Sequence, residues 1–252
     1  MGKTQHIAFS TQKGGAGKTT LTVLLASYLH YVKGYKIAVL DCDYPQHSIV
    51  EMRGRDVDNV KRIEYYRKRA YEQFTNSGKK AYIVEGADAD SALMKADALV
   101  SNNPDLDFIF FDLPGTMNSD GLVRVLSSMD YIFTPITADK VVLDSSIRFA
   151  STINEKMISV SETFIKGIYM FWNMVDRRER REIYDAYEQA LSELGIPIME
   201  TTIPDSKRFR RELSEINRQI FRSTLFPADR ALYKASRIEE FSMEFLRITE
   251  RI

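Results

Sequence analysis

The 252-residue chain is long enough to bury a sizeable core, and its 44 % hydrophobic and 28 % charged content are those of an ordinary globular protein. Its 35 basic and 35 acidic residues cancel to a formal charge of zero, which excludes a uniformly basic nucleic-acid binder but leaves room for a local basic patch. No window reaches the roughly 18 uninterrupted apolar residues of a membrane span, the single Cys42 excludes an internal disulfide, and MGKTQHIAFS lacks a secretory pattern, so a cytoplasmic location is expected.

In chain order, residues 5–20 run from an apolar strand into a glycine-rich turn, Gly14, Gly15, Ala16 and Gly17, and then Lys18, Thr19 and Thr20. Glycines let backbone N–H groups converge on phosphate oxygens, and the helix start that follows adds partial positive charge. Lys18 would reach the β and γ phosphates of a nucleotide, and the Thr19 hydroxyl would ligate Mg²⁺. Residues 18–32 are apolar on nearly all sides, which predicts a helix buried against a sheet and stopped by Gly34. KIAVLDCDYPQ reads as a buried parallel strand with Asp41 and Asp43 at its tip, two residues apart and able to share a side. Residues 51–79 predict one long surface helix closed by Asn76 and Gly78, with Arg67, Lys68 and Arg69 on a solvated face.

Residues 81–85 predict a short strand, and 87–100 a helix with acidic residues at its start. DFIFFDLPGT repeats the apolar strand ending in an aspartate, Asp112, with Gly115 placed for close backbone approach to a terminal phosphate. DYIFTPIT predicts a strand leading into a helix over 140–160, and GIYMFWNMVD a strand that ends at Asn173 and Asp176. A helix stopped by Gly195 follows, then PIMETTIPD as a last strand and turn. KRFRRELSEINRQIF and RALYKASRIEEFSMEFLRI read as helices interrupted at FPAD. The alternation predicts an α/β fold over residues 1–252: one domain, doubly wound, with a mostly parallel sheet and helices on both faces. His6, His30 and His47 are scattered, so no transition-metal site is expected.

The loop itself, K-G-G-x-G-K-T-T, departs from the G-x-x-x-x-G-K-S/T spacing and adds Lys13 at its mouth. It resembles the deviant phosphate-binding loop of the ParA/MinD/nitrogenase-iron-protein group of ATPases. KGGAGKTT, VLDCDYPQ and FIFFDLPG, followed by an Asn-containing strand end and an IPD turn, resemble the ParA-type partition ATPases in order and approximate separation. TVLLASYLHYVKG and the CDYPQHS turn are similar to ParA-like proteins encoded with conjugation genes on mobile elements. This resemblance implies a P-loop ATPase that binds ATP and Mg²⁺, forms a nucleotide-sandwich homodimer and hydrolyses slowly under stimulation by a partner.

Carried over by the resemblance, Lys13 crosses to the nucleotide of a second subunit, which ties phosphoryl transfer to dimerisation. Asp43 orients the attacking water, and Asp41 and Asp112 hold Mg²⁺ through its water shell. Asn173 contacts adenine, with Pro204 and Asp205 beside the base. The plain alternative for the three aspartates is a cap on the turn that follows, and Asp176 with Glu179 also fits a helix start. Two departures stand out. Ala16 replaces the common valine, and Asp-Ser-Lys-Arg-Phe-Arg-Arg follows Pro204 in place of the Arg-Asn type.

Implied partners are non-specific DNA, with a nucleoid-associated location, and a ParB-like or conjugation-associated activating protein. Two basic clusters could meet phosphates: Lys207, Arg208, Arg210 and Arg211 around Phe209, and Arg177, Arg178, Arg180 and Arg181. Glu179, Glu182 and Glu212 interrupt them, so both read equally as solvated faces. A MinD-like membrane cycle would need a basic amphipathic tail, whereas EEFSMEFLRITERI sets Phe241, Met243, Phe245, Leu246 and Ile248 among acids and bases and reads as a packing helix. A cluster-bearing iron-protein role would need two cysteines per chain.

Overall fold

The computed structural model describes residues 3–12, 14–78, 80–115, 120–155, 163–176, 178, 181–216 and 218–252. Six strands form one parallel sheet: β1 (Gln5–Phe9), β2 (Ile37–Asp41), β3 (Ile83–Gly86), β4 (Phe108–Asp112), β5 (Tyr131–Ile136) and β6 (Gly167–Trp172). Their order is β3-β2-β4-β1-β5-β6. Strand β1 is central. The chain leaves it toward β2 on one side and later passes β1 to reach β5 and β6 on the other, so the carboxyl end of β1 lies where the connections diverge, the place at which open α/β sheets bind ligands. Register brings three strand tips level, with Phe9 opposite Asp112 and Asp41 opposite Asp112.

Both faces of the sheet are buried, and the side chains alternate between them. Ile7, Phe9, Val39, Phe108 and Phe110 join one core, while Ala8, Ala38, Leu40, Ile109 and Phe111 join the other. The first is covered by α1 (Lys18–Ser27), α2 (Ser48–Arg62), α8 (Arg230–Ser236) and α9 (Ile238–Ile248). The second is covered by α4 (Ala92–Asn102), α5 (Asp120–Ser127), α6 (Lys140–Ile153) and α7 (Arg181–Glu193). Helix α3 (Glu64–Ser77) lies in a third cluster, in which Tyr66 and Ala70 meet Leu213, Ile220, Leu225 and Phe226.

Helix α1 is buried from Leu21 to Ser27, as its all-round apolar pattern requires, and its buried Thr22 and Ser27 hydroxyls donate to the Lys18 and Ser223 carbonyls. A π-helical turn, Tyr28–Lys33, extends it, and Gly34 ends it at φ 91°. The long helix predicted over 51–79 is two helices. Ile63 is extended (φ −105°, ψ 115°), which resets the helical phase so that Tyr66 and Ala70 face the third cluster, and no Gly or Pro marks the break. PIMETTIPD adds no regular strand; it runs beside β6 through isolated bridges at Ile198 and Pro204.

The helix expected from KRFRRELSEINRQIF is a single 3₁₀ turn, Lys207–Arg210, followed by irregular chain. Aspartates hold that chain instead of helical bonds. Buried Asp56 on α2 accepts from Thr224 N (2.7 Å), Thr224 Oγ1 (2.8 Å) and Ser223 Oγ (3.0 Å), and Asp229 Oδ2 accepts from Ile220 N. Of the apolar residues that suggested a helix, Ile216 is 99 % exposed, so no packing partner rewards helical spacing there.

Helix α9 is a packing helix. Phe245 is fully buried, with its ring centroid 5.4 Å from Phe108, 5.8 Å from Phe110 and 5.1 Å from Phe133. Among the described residues no helix is long and apolar enough to cross a membrane. Phe245→Ala is expected to cost about 3–5 kcal/mol, the usual penalty for emptying a core aromatic site. Urea unfolding checks this, and a loss under about 1 kcal/mol would mean that α9 is not part of the core.

Candidate functional site

The loop after β1 is fixed at both ends. Ser10 N donates to Phe133 O (3.0 Å), the Thr11 and Ser146 hydroxyls lie 3.1 Å apart, and Leu21 N donates to Gly17 O (3.0 Å). Gly15 (φ 85°) and Gly17 (φ 88°) occupy the left-handed region that glycine enters without strain. Gly17 meets a second restriction: a Cβ there would lie 2.5 Å from Asn173 Nδ2. That amide donates to Ala16 O at 2.7 Å, so the loop and the end of β6 are held against each other.

Helix α1 begins at Gly17 with no side-chain cap and no acid in its first turn. Its leading N–H groups and its positive dipole end are therefore left for an anion. Ala16 itself is buried, and Gly14, Gly15, Gly17, Lys18, Thr19 and Thr20 line a cleft of ≈ 910 Å³.

Lys18 is 8 % exposed, and no hydrogen bond holds its ammonium among the described residues. Burial lowers its pKa, opposed by Asp112 and Asp43. Thr19 Oγ1 donates to Asp112 Oδ2 at 2.7 Å. Burial pushes the Asp112 carboxyl up to about 7 against the Thr19 bond and the Lys18 charge, and Asp41 and Asp43 push it further. Asp112 Oδ1 is buried without a partner among the described residues. A carboxylate oxygen left free beside a threonine hydroxyl, at the tip of a strand, suits a hard cation with oxygen ligands.

Asp41 is placed differently. Its Oδ2 accepts from Ile49 N (2.8 Å) and Val50 N (3.1 Å), so it holds the first turn of α2, the capping role that sequence left open. Burial raises its pKa and those backbone bonds oppose the shift. Asp43, half-buried, lines the cleft opposite Pro114 and Gly115. Among the described residues no three His, Cys, Asp or Glu side chains form a metal cage; the oxygens of Thr19 and Asp112 would suit a hard cation such as Mg²⁺, and Asp41 lies on the neighbouring strand tip.

Asn173 and Asp205 also line the cleft. Pro204 stands behind it, bridged to Val175, and Asp205 N donates to Val175 O at 2.9 Å. Lys13, Arg177, Glu179 and Arg180 lie outside the described residues. Arg178 pairs with Asp176, whose carboxyl it holds down at about 2, and Arg181 pairs with Asp185. Lys207, Arg208 and Arg211 are exposed beside the cleft, while the Phe209 ring packs edge-on against Phe221.

Among the lining residues that the sequence reading did not place in the cleft are Phe209, Arg210 and Arg222. Arg222 donates from Nη1 to Thr20 Oγ1 at 2.9 Å across 202 residues. No local pattern announces such a pair, because irregular chain delivers the arginine.

Residues 7–218 match the model of the CobQ/CobB/MinD/ParA nucleotide binding domain. Among curated proteins, an uncharacterized protein of Borreliella burgdorferi (strain B31) is 52 % identical over 44 residues, a stretch that spans 18 % of this chain and 17 % of that relative. Two solved structures extend over nearly the whole chain. One is a Borrelia burgdorferi B31 protein, named as a candidate plasmid partition protein and bound to AMPPNP; it has a TM-score of 0.61 and 19 % identity and covers 97 % of this chain and 99 % of its own. The other is pNOB8 ParA bound to nonspecific DNA, with a TM-score of 0.58, 16 % identity and coverage of 98 % and 99 %. At these identities the structures establish the shared fold, and the domain match over residues 7–218 establishes the family. The chain belongs to the CobQ/CobB/MinD/ParA nucleotide-binding family.

Proposed function

We propose that residues 1–252 act as one ParA-like ATPase domain that binds Mg²⁺-ATP, dimerises around it and hydrolyses it slowly to drive DNA partition, positioning or the maintenance and transfer of a conjugative element. The observation that carries this reading is the uncapped start of α1 beside the Thr19–Asp112 pair, where a free carboxylate oxygen waits 93 residues along the chain from its hydroxyl partner. An anion and a hard cation are wanted side by side, which is the charge pattern of a metal-bound triphosphate.

In this reading the N–H groups of the Gly14–Gly17 turn and of the first turn of α1 hold the phosphates, and Lys18 neutralises the β and γ oxygens. Thr19 and Asp112 would hold Mg²⁺, and Asp41, at the tip of β2, would hold its water shell. Bound Mg²⁺ draws charge from the transferring phosphoryl group. Asp43, at the open side of the cleft, orients the water. Asn173, Pro204 and Asp205 flank the base, and Lys13 reaches the nucleotide of a second copy, which makes hydrolysis depend on the dimer. A relative solved with AMPPNP supports ATP as the nucleotide.

The structure of pNOB8 ParA with nonspecific DNA supports DNA as a partner, and the exposed Lys207, Arg208 and Arg211 are its best contact. The second cluster is weaker, because Arg178 and Arg181 are engaged by Asp176 and Asp185. The apolar face of α9, with Phe241, Phe245 and Leu246, is packed in the core, which speaks against a membrane-facing role for that helix. An activating protein of ParB-like or conjugation-associated type would act on the dimer.

Light scattering and phosphate release with ATP and Mg²⁺ test the ATPase. Expected are ATP-dependent native dimers, ATP-trapped dimers in Asp43→Ala, and loss of hydrolysis in Lys13→Ala; full hydrolysis by the Lys13 variant would refute the lysine given by a second copy. For DNA, mobility shifts with ATP across a salt series are expected to weaken as salt rises, with a log–log slope that falls by about 0.9 for each phosphate contact removed in Lys207→Ala, Arg208→Ala or Arg211→Ala. Absent or salt-insensitive binding removes DNA from the scheme.

A further inference from the structure

Arg222 lines the cleft and has no part in the phosphoryl transfer proposed for it. Arg222, its side chain 18 % exposed, donates from Nη1 to Thr20 Oγ1 at 2.9 Å and from Nη2 to Glu212 Oε1. Glu212 is gripped from its other side by Arg55 of α2, at 3.0 Å. Arg222 Nε is buried with no partner among the described residues, so this is a costly way to fasten a loop.

The direction of the Thr20 bond decides what it does. A guanidinium donates and cannot accept, so Thr20 Oγ1 is the acceptor and keeps its own proton for another partner. A helical threonine ordinarily returns that proton to the carbonyl four residues earlier, as Thr22 does to Lys18 O. For Thr20 that carbonyl is Ala16 O, which already accepts from Asn173 Nδ2 at 2.7 Å. The other direction open to it is the cleft that Thr20 lines, next to the uncapped N–H groups of α1.

We infer that Arg222 is a positioning residue: it fixes the Thr20 hydroxyl as a donor to a nucleotide phosphate oxygen, and so links phosphate binding to the 207–222 segment through Glu212 and Arg55. This rests on the nucleotide reading above. The guanidinium also places positive charge one bond behind the hydroxyl, which strengthens Thr20 as a donor to an anion.

The test is equilibrium binding of a fluorescent ATP analogue to the full chain, with the melting temperature of each variant followed in parallel. Thr20→Val and Arg222→Met are each expected to weaken binding about tenfold, the scale of one hydrogen bond to a charged group. Thr20→Ser is expected to bind as the native chain does. The double variant Thr20→Val/Arg222→Met is expected to be no weaker than the worse single one, because both changes remove the same donor. If Arg222→Met does not fold, Arg222→Lys keeps a charge for Glu212 without the second planar donor and is expected to show the same loss. Multiplying losses in the double variant, or native affinity in Thr20→Val or the Arg222 variant, would overturn the positioning role. A native chain that binds no ATP would overturn the nucleotide reading as well, which separates the two failures.

Discussion

The hydrogen bond between Thr19 and Asp112 is the constraint on which the carboxyl edge of the sheet depends. It exists because β1 and β4 are neighbours in register, so the loop that leaves Phe9 rises directly over the aspartate opposite it. Around that bond the charges are out of balance. Lys18 and Asp112 are both buried enough for desolvation to work against their ionised forms, and Asp41 and Asp43 add negative potential that one lysine does not cancel. A cation there and an anion at the start of α1 relieve opposite deficits a few ångströms apart. The site is thus built for a pair of ligands of opposite sign, and either one alone would leave half of the field uncompensated.

How far this could be read from the sequence follows from where the information sits. The strands were legible because each is a short apolar run, and β2 and β4 end in the aspartates that form the site. Their parallel arrangement followed from the alternation with helices, and the glycine loop declared itself by composition. The break at Ile63 was not legible: it is made by tertiary packing of Tyr66 and Ala70, and Ile is no helix stop on its own. The irregular chain after Arg211 was misread because Leu213 and Ile220 have helical spacing, while the buried Asp56 carboxylate organises the chain from 150 residues away and more. For Asp41 the sequence left both a site role and a cap on the following turn open; the bonds it accepts from Ile49 and Val50 depend on the path of the chain between β2 and α2, which no spacing specifies.

The two ends of the described chain close the same structure. Gln5 Nε2 donates to Thr249 O at 3.0 Å, and Arg251 Nη2 donates to Lys3 O and Asp107 O, so the last turn of α9 is tied to the strand that begins the phosphate loop. Between α7 and α8 the chain passes from Asp205 in the cleft, past the basic turn at Lys207–Arg210, back to the cleft at Arg222. That segment borders the cleft at both of these residues and carries exposed cations between them, and its later half is anchored by the Asp56 and Asp229 carboxylates.

The division of labour within Asp41 has a consequence of its own. Oδ2 is committed to the N–H groups of Ile49 and Val50, whereas Oδ1 has only a long 3.4 Å contact from Asp43 N and lies 3.9 Å from His47 Nδ1. The two oxygens thus answer to different neighbours. An asparagine in this position would give its oxygen to the helix and turn its amide hydrogens toward whatever sits on the other side. The helix start would hardly notice, while a cation would meet a donor where it had met an acceptor, so an isosteric exchange separates the architecture of α2 from the electrostatics of the cleft at a single atom.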